Sequence, residues 1–509
     1  MTKEETTLLE DKVKTFFNNV VKRLTFFDYV FIFLLIIISV WKISLIKHCL
    51  WIDEARELFI TRNFLRTGHF TFFGEEYMQH PFGFYISLAL ASFFTRGLKD
   101  VTGEIVVFIF GLIGIIMTYL LGKELRNRTT GIIASLFVAF QPTYAFISGR
   151  ILNDVPMISM LITAFYFFLR GEKRNEIRST YLAGFFAALA MLMKISSIAV
   201  MPSIVIYLIW KKKLKWLKEK KYWIMFLVFI LTFSTWIIRN IVVGKEFFPF
   251  SLYFGRLEPG EHTLDVEPPT YYIKNFIPMF SIILTILFLL SLFLGLINAY
   301  KKQELLIIWF FLFFILITLQ TVKVPRYLLP VLPTIALISA YNLDLITNIF
   351  KKNLLIKYVL IIFILTLYVV PNFKYSTTLI KERASGFCGL KEMGELLNLI
   401  TTPNETIMCA SNTQMHWYSD RNVVSFPENE TNFDSFIEEN NVSYIVVDVW
   451  ERTAPKYVFN NGRVWMPYFL NNSKYPFTGW AYPISNNTYA IFIYGVANKT
   501  SFNFLNETL

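Results

Sequence analysis

The 509-residue chain is 55% hydrophobic and only 17% charged, against about 25% charged residues in an ordinary soluble chain. That balance excludes a soluble globular protein and points to a polytopic α-helical membrane protein. The net charge of +12 does not call for nucleic acid, because the basic residues stand in short clusters between apolar runs, as cytoplasmic loops do.

Residues 1–26 are polar and mixed in charge, carry no signal-peptide pattern, and read as a cytoplasmic N-terminal segment. Phe27 to Ile46 is the first apolar run, about 20 residues, long enough to cross a bilayer. Ten further spans are predicted near 104–122, 131–147, 156–170, 180–195, 197–210, 222–241, 276–299, 304–321, 328–347 and 355–371, making about 11 transmembrane helices. With the N-terminus inside, every basic cluster falls on the cytoplasmic side, from Lys123/Arg126/Arg128 through the run Lys211–Lys221 to Lys351/Lys352/Lys357. Lys211–Lys221 is most simply a topology signal beside anionic lipids. Pro81 to Phe94 is apolar but only about 14 residues long, too short to span. Counting it would invert every later loop, so it is predicted to lie on the outer surface. The first outer loop then runs from about 47 to 103.

After the transmembrane domain, 27–371, the tail 372–509 changes character. Short β-rich runs (Thr406–Cys409, Tyr444–Val449, Tyr489–Tyr494) alternate with helix-like stretches at Leu390–Leu399 and Asn432–Glu439. This alternation predicts a small α/β domain, extracytoplasmic by the span count. Sequons at Asn404, Asn429, Asn441, Asn471, Asn486, Asn498 and Asn506 favour the same side, with chance triplets in an Asn-rich tail as the competing explanation. Three cysteines, Cys49, Cys388 and Cys409, make no disulfide framework; Cys388 and Cys409 are the pair an extracytoplasmic tail would allow. There is no internal repeat.

Residues suited to chemistry collect in the outer loops. Trp51-Ile52-Asp53-Glu54-Ala55-Arg56 directly follows the first span, and His80 closes the same loop. Ser148 to Pro156, holding Arg150 and Asp154, lies between spans three and four. Lys194 follows span five, and Lys323 to Pro330, holding Arg326 and Tyr327, precedes span ten. Carboxylates and guanidinium groups on one membrane face suit a substrate bearing a lipid-borne phosphate. Arg grips phosphate bidentately, and a carboxylate accepts the proton of an attacking hydroxyl. Each also has a plainer reading. Asp53 and Asp154 would cap helices, Arg326 and Lys194 would snorkel from helix ends, and His80 would be structural or interfacial.

Asp53-Glu54-Ala55-Arg56, then Leu65-Arg66-Thr67-Gly68-His69-Phe70, then His80-Pro81 before an apolar helix, resembles the first outer loop of the protein O-mannosyltransferase/aminoarabinose transferase superfamily. These are GT-C glycosyltransferases that use polyprenyl (dolichyl)-phosphate-linked sugars. Arg150 to Pro156 resembles their second-loop motif and Pro325-Arg326-Tyr327-Leu328-Leu329-Pro330 their later Arg-Tyr motif, so that the resemblance covers about residues 27–347. It implies Asp53 as general base in an inverting single displacement and Glu54 as the second acid of the pair. It implies Asp154 on the donor or a metal and Arg326 on the lipid phosphate; by loop position Lys194 is a second candidate for that phosphate, and Arg56, Arg150 and Tyr327 are candidates for binding the substrate. His80-Pro81-Phe82 stands where relatives often have Lys-Pro-Pro, which leaves the role of His80 open. A divalent cation is compatible with two carboxylates, but nothing in the sequence requires one.

The predicted function is transfer of a sugar to a protein, glycan or lipid acceptor at the outer face. A transporter or flippase is the alternative; it would place polar or broken segments near mid-membrane in two related halves, and neither feature is present. An oligosaccharyltransferase would carry a Trp-Trp-Asp signature in its soluble domain, of which Trp417-Tyr418-Ser419-Asp420 is a faint echo.

Overall fold

A computed structural model of the chain describes residues 24–244, 267–294, 303–320, 322–448, 455, 458–460, 463–464, 473–485 and 488–497. Expectations for residues 1–23 and for the sequons at Asn471, Asn486, Asn498 and Asn506 lie outside them.

The first apolar run forms α1 (Phe26–Ile43), and the loop behind it carries α2 (Ile52–Thr67). Gly68 stops α2 in the left-handed conformation at φ +79, its N–H donating to the Phe64 carbonyl at 2.9 Å. A hairpin follows, β1 (Thr71–Phe72) against β2 (Glu75–Glu76), whose turn residues Phe73 and Gly74 both have positive φ. The apolar stretch after it forms α3 (Gly83–Phe94). It buries Phe84, Tyr85, Leu88 and Ala89 and exposes Leu90, Phe93 and Phe94, the two-faced pattern of a helix at the membrane surface. Gly83 is required by close approach: a Cβ there would lie 2.7 Å from the Leu192 carbonyl oxygen.

The bundle continues with α4 (Asp100–Leu125), α5 (Arg128–Ala139), α6 (Pro142–Ile147), α7 (Asp154–Arg174), α8 (Ile177–Met193), α9 (Val200–Lys212), α10 (Lys220–Gly244), α11 (Ile282–Leu294), α12 (Glu304–Leu319), α13 (Leu332–Thr347) and α14 (Leu354–Ala384). Among the described residues, 7 helical stretches are long and apolar enough to cross a membrane. Four predicted spans, near 131–147, 180–195, 276–299 and 304–321, are shorter or broken helices. The first of these breaks where Pro142, lacking an N–H, begins a new helix that Gln141 caps by accepting from Tyr144 N–H at 2.6 Å. The third breaks at Ser281, which has φ +66. Helices α7 and α13 form the buried centre of the bundle, whereas α10 and α14 present apolar side chains outward, as lipid-facing helices do. Helix α14 does not stop at Pro371 but carries on to Ala384.

Beyond it lies an α/β domain. Its sheet runs in the order β4-β3-β5-β7-β6, with β3 (Thr406–Cys409), β4 (Asn422–Val424), β5 (Val442–Asp448), β6 (Phe477–Ser485) and β7 (Thr488–Gly495). The pairs β3/β4 and β3/β5 are parallel, and β5/β7 and β6/β7 antiparallel. All residues of β5 are buried because helices cover both faces. On one face lie α15 (Cys388–Ile400) and α16 (Asn412–Ser419), on the other α17 (Phe433–Glu439).

This domain is tied to the first loop. Arg62 donates to the Trp417 and His416 carbonyls and pairs with Asp420 at 3.0 Å. Lys391 pairs with Asp100 at 2.9 Å. The expected Cys388–Cys409 pairing is corrected: Cys388 bridges to Cys49, 339 residues away, and Cys409 lies buried in β3 with its Sγ 3.7 Å from Asp448 Oδ2. The bundle brings Cys49 to the end of α14, a proximity that spacing along the chain does not reveal.

Candidate active site

Two carboxylates open α2, where the helix N-terminus favours negative charge, and the structure gives them different surroundings. Asp53 faces the outer cluster. Its Oδ2 accepts from Arg326 Nη2 at 2.8 Å, and its Oδ1 lies 3.2 Å from Arg56 Nη1. Asp154, at the start of α7, pairs with Lys194 Nζ at 2.7 Å. Lys194 stands 5.2 Å from the Tyr327 ring centre and Arg326 5.7 Å. Asp53, Arg56, Asp154, Lys194, Arg326 and Tyr327, drawn from four loops, therefore meet in one place.

Electrostatics of this cluster favour an incoming anion. Burial pushes the Asp53 carboxyl up, but Arg56, Arg326 and Lys194 outweigh it and hold it well below the usual carboxylate range. Next to it, burial pushes the Glu57 carboxyl up and the Asp53 charge adds to this, against the pull of Arg56. Three cations thus face two paired carboxylates and a Glu57 biased toward its neutral form. Burial, with Arg56 and Lys194 nearby, holds His80 well below its ordinary value, so the ring is neutral. Its buried Nδ1 has no hydrogen-bond partner among the described residues.

Glu54 and Arg150, also expected at the substrate, sit in a layer behind. Glu54 is fully buried and accepts from Trp51 N–H at 2.8 Å, Ile151 N–H at 2.7 Å and Arg150 Nη1 at 3.3 Å, with His48 Nε2 at 2.7 Å. Arg150 donates besides to the Cys49 carbonyl at 3.2 Å and the Arg383 carbonyl at 2.6 Å, and stacks 4.4 Å over Trp51. Glu54 spends its acceptor capacity inside the protein, and Arg150 is turned to partners there. For a metal, no group of three or more His, Cys, Asp or Glu side chains converges among the described residues.

Sequence reasoning gave no role to His48 and Glu104. His48 stands in no motif, and its meeting with Glu54 six residues on depends on the chain reversing between α1 and α2. Glu104 was read as the start of a span, and only packing of α4 beside the loop brings it to His48.

The fold is that of a polytopic helical membrane protein with a sheet-bearing C-terminal domain, an architecture similar to those of ArnT and AglB. Residues 79–238 match the family described as dolichyl-phosphate-mannose-protein mannosyltransferase, which bears out the resemblance read from the loop motifs. The structure is similar to that of ArnT from Cupriavidus metallidurans in the apo state, with TM-score 0.70 and 12% identity over 93% of this chain and 99% of that one. ArnT bound to undecaprenyl phosphate gives TM-score 0.68 at 13% identity, over 93% of this chain and 99% of that one. The archaeal oligosaccharyltransferase AglB from Archaeoglobus fulgidus, in complex with an inhibitory peptide and a dolichol-phosphate, gives TM-score 0.61 at 13% identity, over 86% of this chain and 72% of that one. In sequence, an uncharacterised protein of Aquifex aeolicus is 24% identical over 364 residues, 68% of this chain and 71% of that relative.

Proposed function

We propose that this protein transfers one sugar from a polyprenyl-phosphate-linked donor to an acceptor hydroxyl at the outer face of the membrane. The observation that carries the reading is the contact between Asp53 and Arg326 inside a cation-rich cluster contributed by several outer loops. ArnT and AglB, which share the fold, have been seen with undecaprenyl phosphate and dolichol-phosphate. A lipid phosphate lies at headgroup depth, and so must the groups that meet it.

In this reading Arg326 and Lys194 take the donor phosphate, with Tyr327 between them and His80 and Arg56 on the sugar side. The acceptor oxygen attacks the anomeric carbon, the bond from that carbon to the phosphate oxygen breaks, and polyprenyl phosphate leaves. Asp53 takes the acceptor's proton, and attack from the face opposite the leaving group inverts the anomeric centre. A carboxylate held so low is a poor base at rest. When Arg326 turns to the phosphate, Asp53 loses that partner and its proton affinity rises. Donor binding thereby arms the base. Glu54 and Arg150 support the cluster from behind rather than touching substrate, a revision of the roles the resemblance implied, and Asp154 orients Lys194.

The Cys49–Cys388 bridge supports an extracytoplasmic site, since disulfides persist in oxidising compartments; the N-terminus would then be cytoplasmic. The test is transfer of radiolabel from polyprenyl-phosphate sugars in membranes containing wild type or Asp53→Asn. Label reaching an acceptor only with wild type supports the reading. Equal transfer by both removes Asp53 from the chemistry, and solute or lipid translocation without any transfer would favour a transporter.

A further inference from the structure

Behind the cluster lies a charged group that the proposed chemistry does not use. His48 sits between α1 and α2 with its side chain only 4% exposed. Its Nε2 is 2.7 Å from Glu54 Oε1. Its Nδ1 is 3.0 Å from the Ile46 carbonyl oxygen and 3.3 Å from Glu104 Oε1. A carbonyl oxygen and an ionised carboxylate only accept, whereas a neutral imidazole has one nitrogen that donates and one that does not. A neutral His48 would therefore set a lone pair against oxygen on one side. Moving the proton to Glu54 is disfavoured, because three other donors (Trp51 N–H, Ile151 N–H and Arg150) already converge on that carboxylate. With N–H on both ring nitrogens, two cations (His48 and Arg150) balance two carboxylates (Glu54 and Glu104), the condition under which charge is tolerated in a protein interior.

We infer that His48 is held as an imidazolium and is a positioning residue, clamping Glu54 so that the start of α2 with Asp53 and the loop leading to Asp154 stay in register. The catalytic half of this statement rests on the function proposed above. Glu54 joins the α2 N-terminus to Ile151, three residues before Asp154, and Glu104 joins His48 to α4. Arg150 extends the clamp to the Arg383 carbonyl at the end of α14, beside the Cys49–Cys388 bridge. The charged groups facing His48 are thus Glu54 from α2, Glu104 from α4 and Arg150 from the second loop, with Lys42 from the end of α1 lining the same cavity. Burial lowers the affinity of His48 for its proton, but the Glu54 charge and the hydrogen bonds to Glu104 and Glu54 outweigh burial and the opposing Arg150, and its pKa is pushed up to about 9. A group raised in this way contributes stability that is fully present below its ordinary value of about 6.5. That contribution is lost as the pH rises through about 9.

The experiment is thermal unfolding of the detergent-solubilised full chain from about pH 6 to about pH 10, for wild type and His48→Gln, with sugar transfer measured across the same range. The wild-type melting temperature should fall by several degrees between pH 6.5 and 9.5, in step with an alkaline fall in kcat. His48→Gln should start lower, lose about tenfold in kcat at neutral pH with donor KM nearly unchanged, and show neither slope. A flat wild-type curve, or the same slope in both proteins, overturns the inference. If His48→Gln does not accumulate, Glu104→Gln, which keeps an acceptor at Nδ1 but removes one of the two carboxylate charges, should move the alkaline fall to lower pH; a fall left where it was overturns the inference as well. Absence of sugar transfer in wild type would sink the proposed function, and the unfolding curves would still decide the protonation of His48.

Discussion

Asp53 and Glu54 are consecutive residues of one helix turn, yet Asp53 is 26% exposed and Glu54 is 0% exposed. Glu54 is surrounded by backbone N–H groups, Arg150 and His48, with nothing left to offer a ligand. Among the described residues, Asp53 is paired with guanidinium groups that a phosphate could draw away. The same chemistry, carboxylate against cation, is saturated and dry at Glu54 and partly open at Asp53. Adjacent acids therefore need not share a function.

This contrast is easiest to break at its two centres. Asp53→Asn should cost about 10²–10⁴-fold in transfer rate with little change in melting temperature, measured by label transfer and thermal unfolding on one preparation. Glu54→Ala should do the reverse first: removing one partner from a buried charge network costs about 3–5 kcal/mol, seen as lost thermal stability or poor accumulation. A stable, inactive Glu54→Ala protein would erase the distinction. Arg326→Lys keeps the charge but loses the planar fork, and should reduce kcat/KM for the donor about tenfold, or about 1.4 kcal/mol. Unaltered donor kinetics would take the phosphate role away from Arg326. Smallest should be Arg66→Ala. Its pair with Asp420 is exposed on both sides, so less than about 1 kcal/mol of stability is expected; a large loss would show that docking of the C-terminal domain on α2 depends on that pair.

Much of the architecture could be read in the chain because bilayer physics is one-dimensional. Apolar length and the placement of lysine and arginine predict where the chain crosses, and the segment 81–94 reads as too short to span on length alone. The breaks at Pro142 and Ser281 were invisible to that reasoning, since a hydropathy run does not register a change of backbone direction. In the site, loop position singled out Asp53, Asp154, Lys194 and Arg326. Their pairing into Asp53–Arg326 and Asp154–Lys194 did not follow from loop position, because residues separated by 273 and 40 positions meet only through helix packing. His48 and Glu104, with no motif to mark them, were missed for the same reason.

By itself, then, the sequence determined that this is a multi-span membrane protein with ionisable residues gathered in the loops between spans and an α/β tail, since hydropathy, charge and periodicity are local quantities. The tertiary structure decided which acid stays partly open and which is locked away, and that Cys49 rather than Cys409 bridges to Cys388. Burial and hydrogen-bond saturation are properties of contacts between distant segments, and they exist only once the helices have packed.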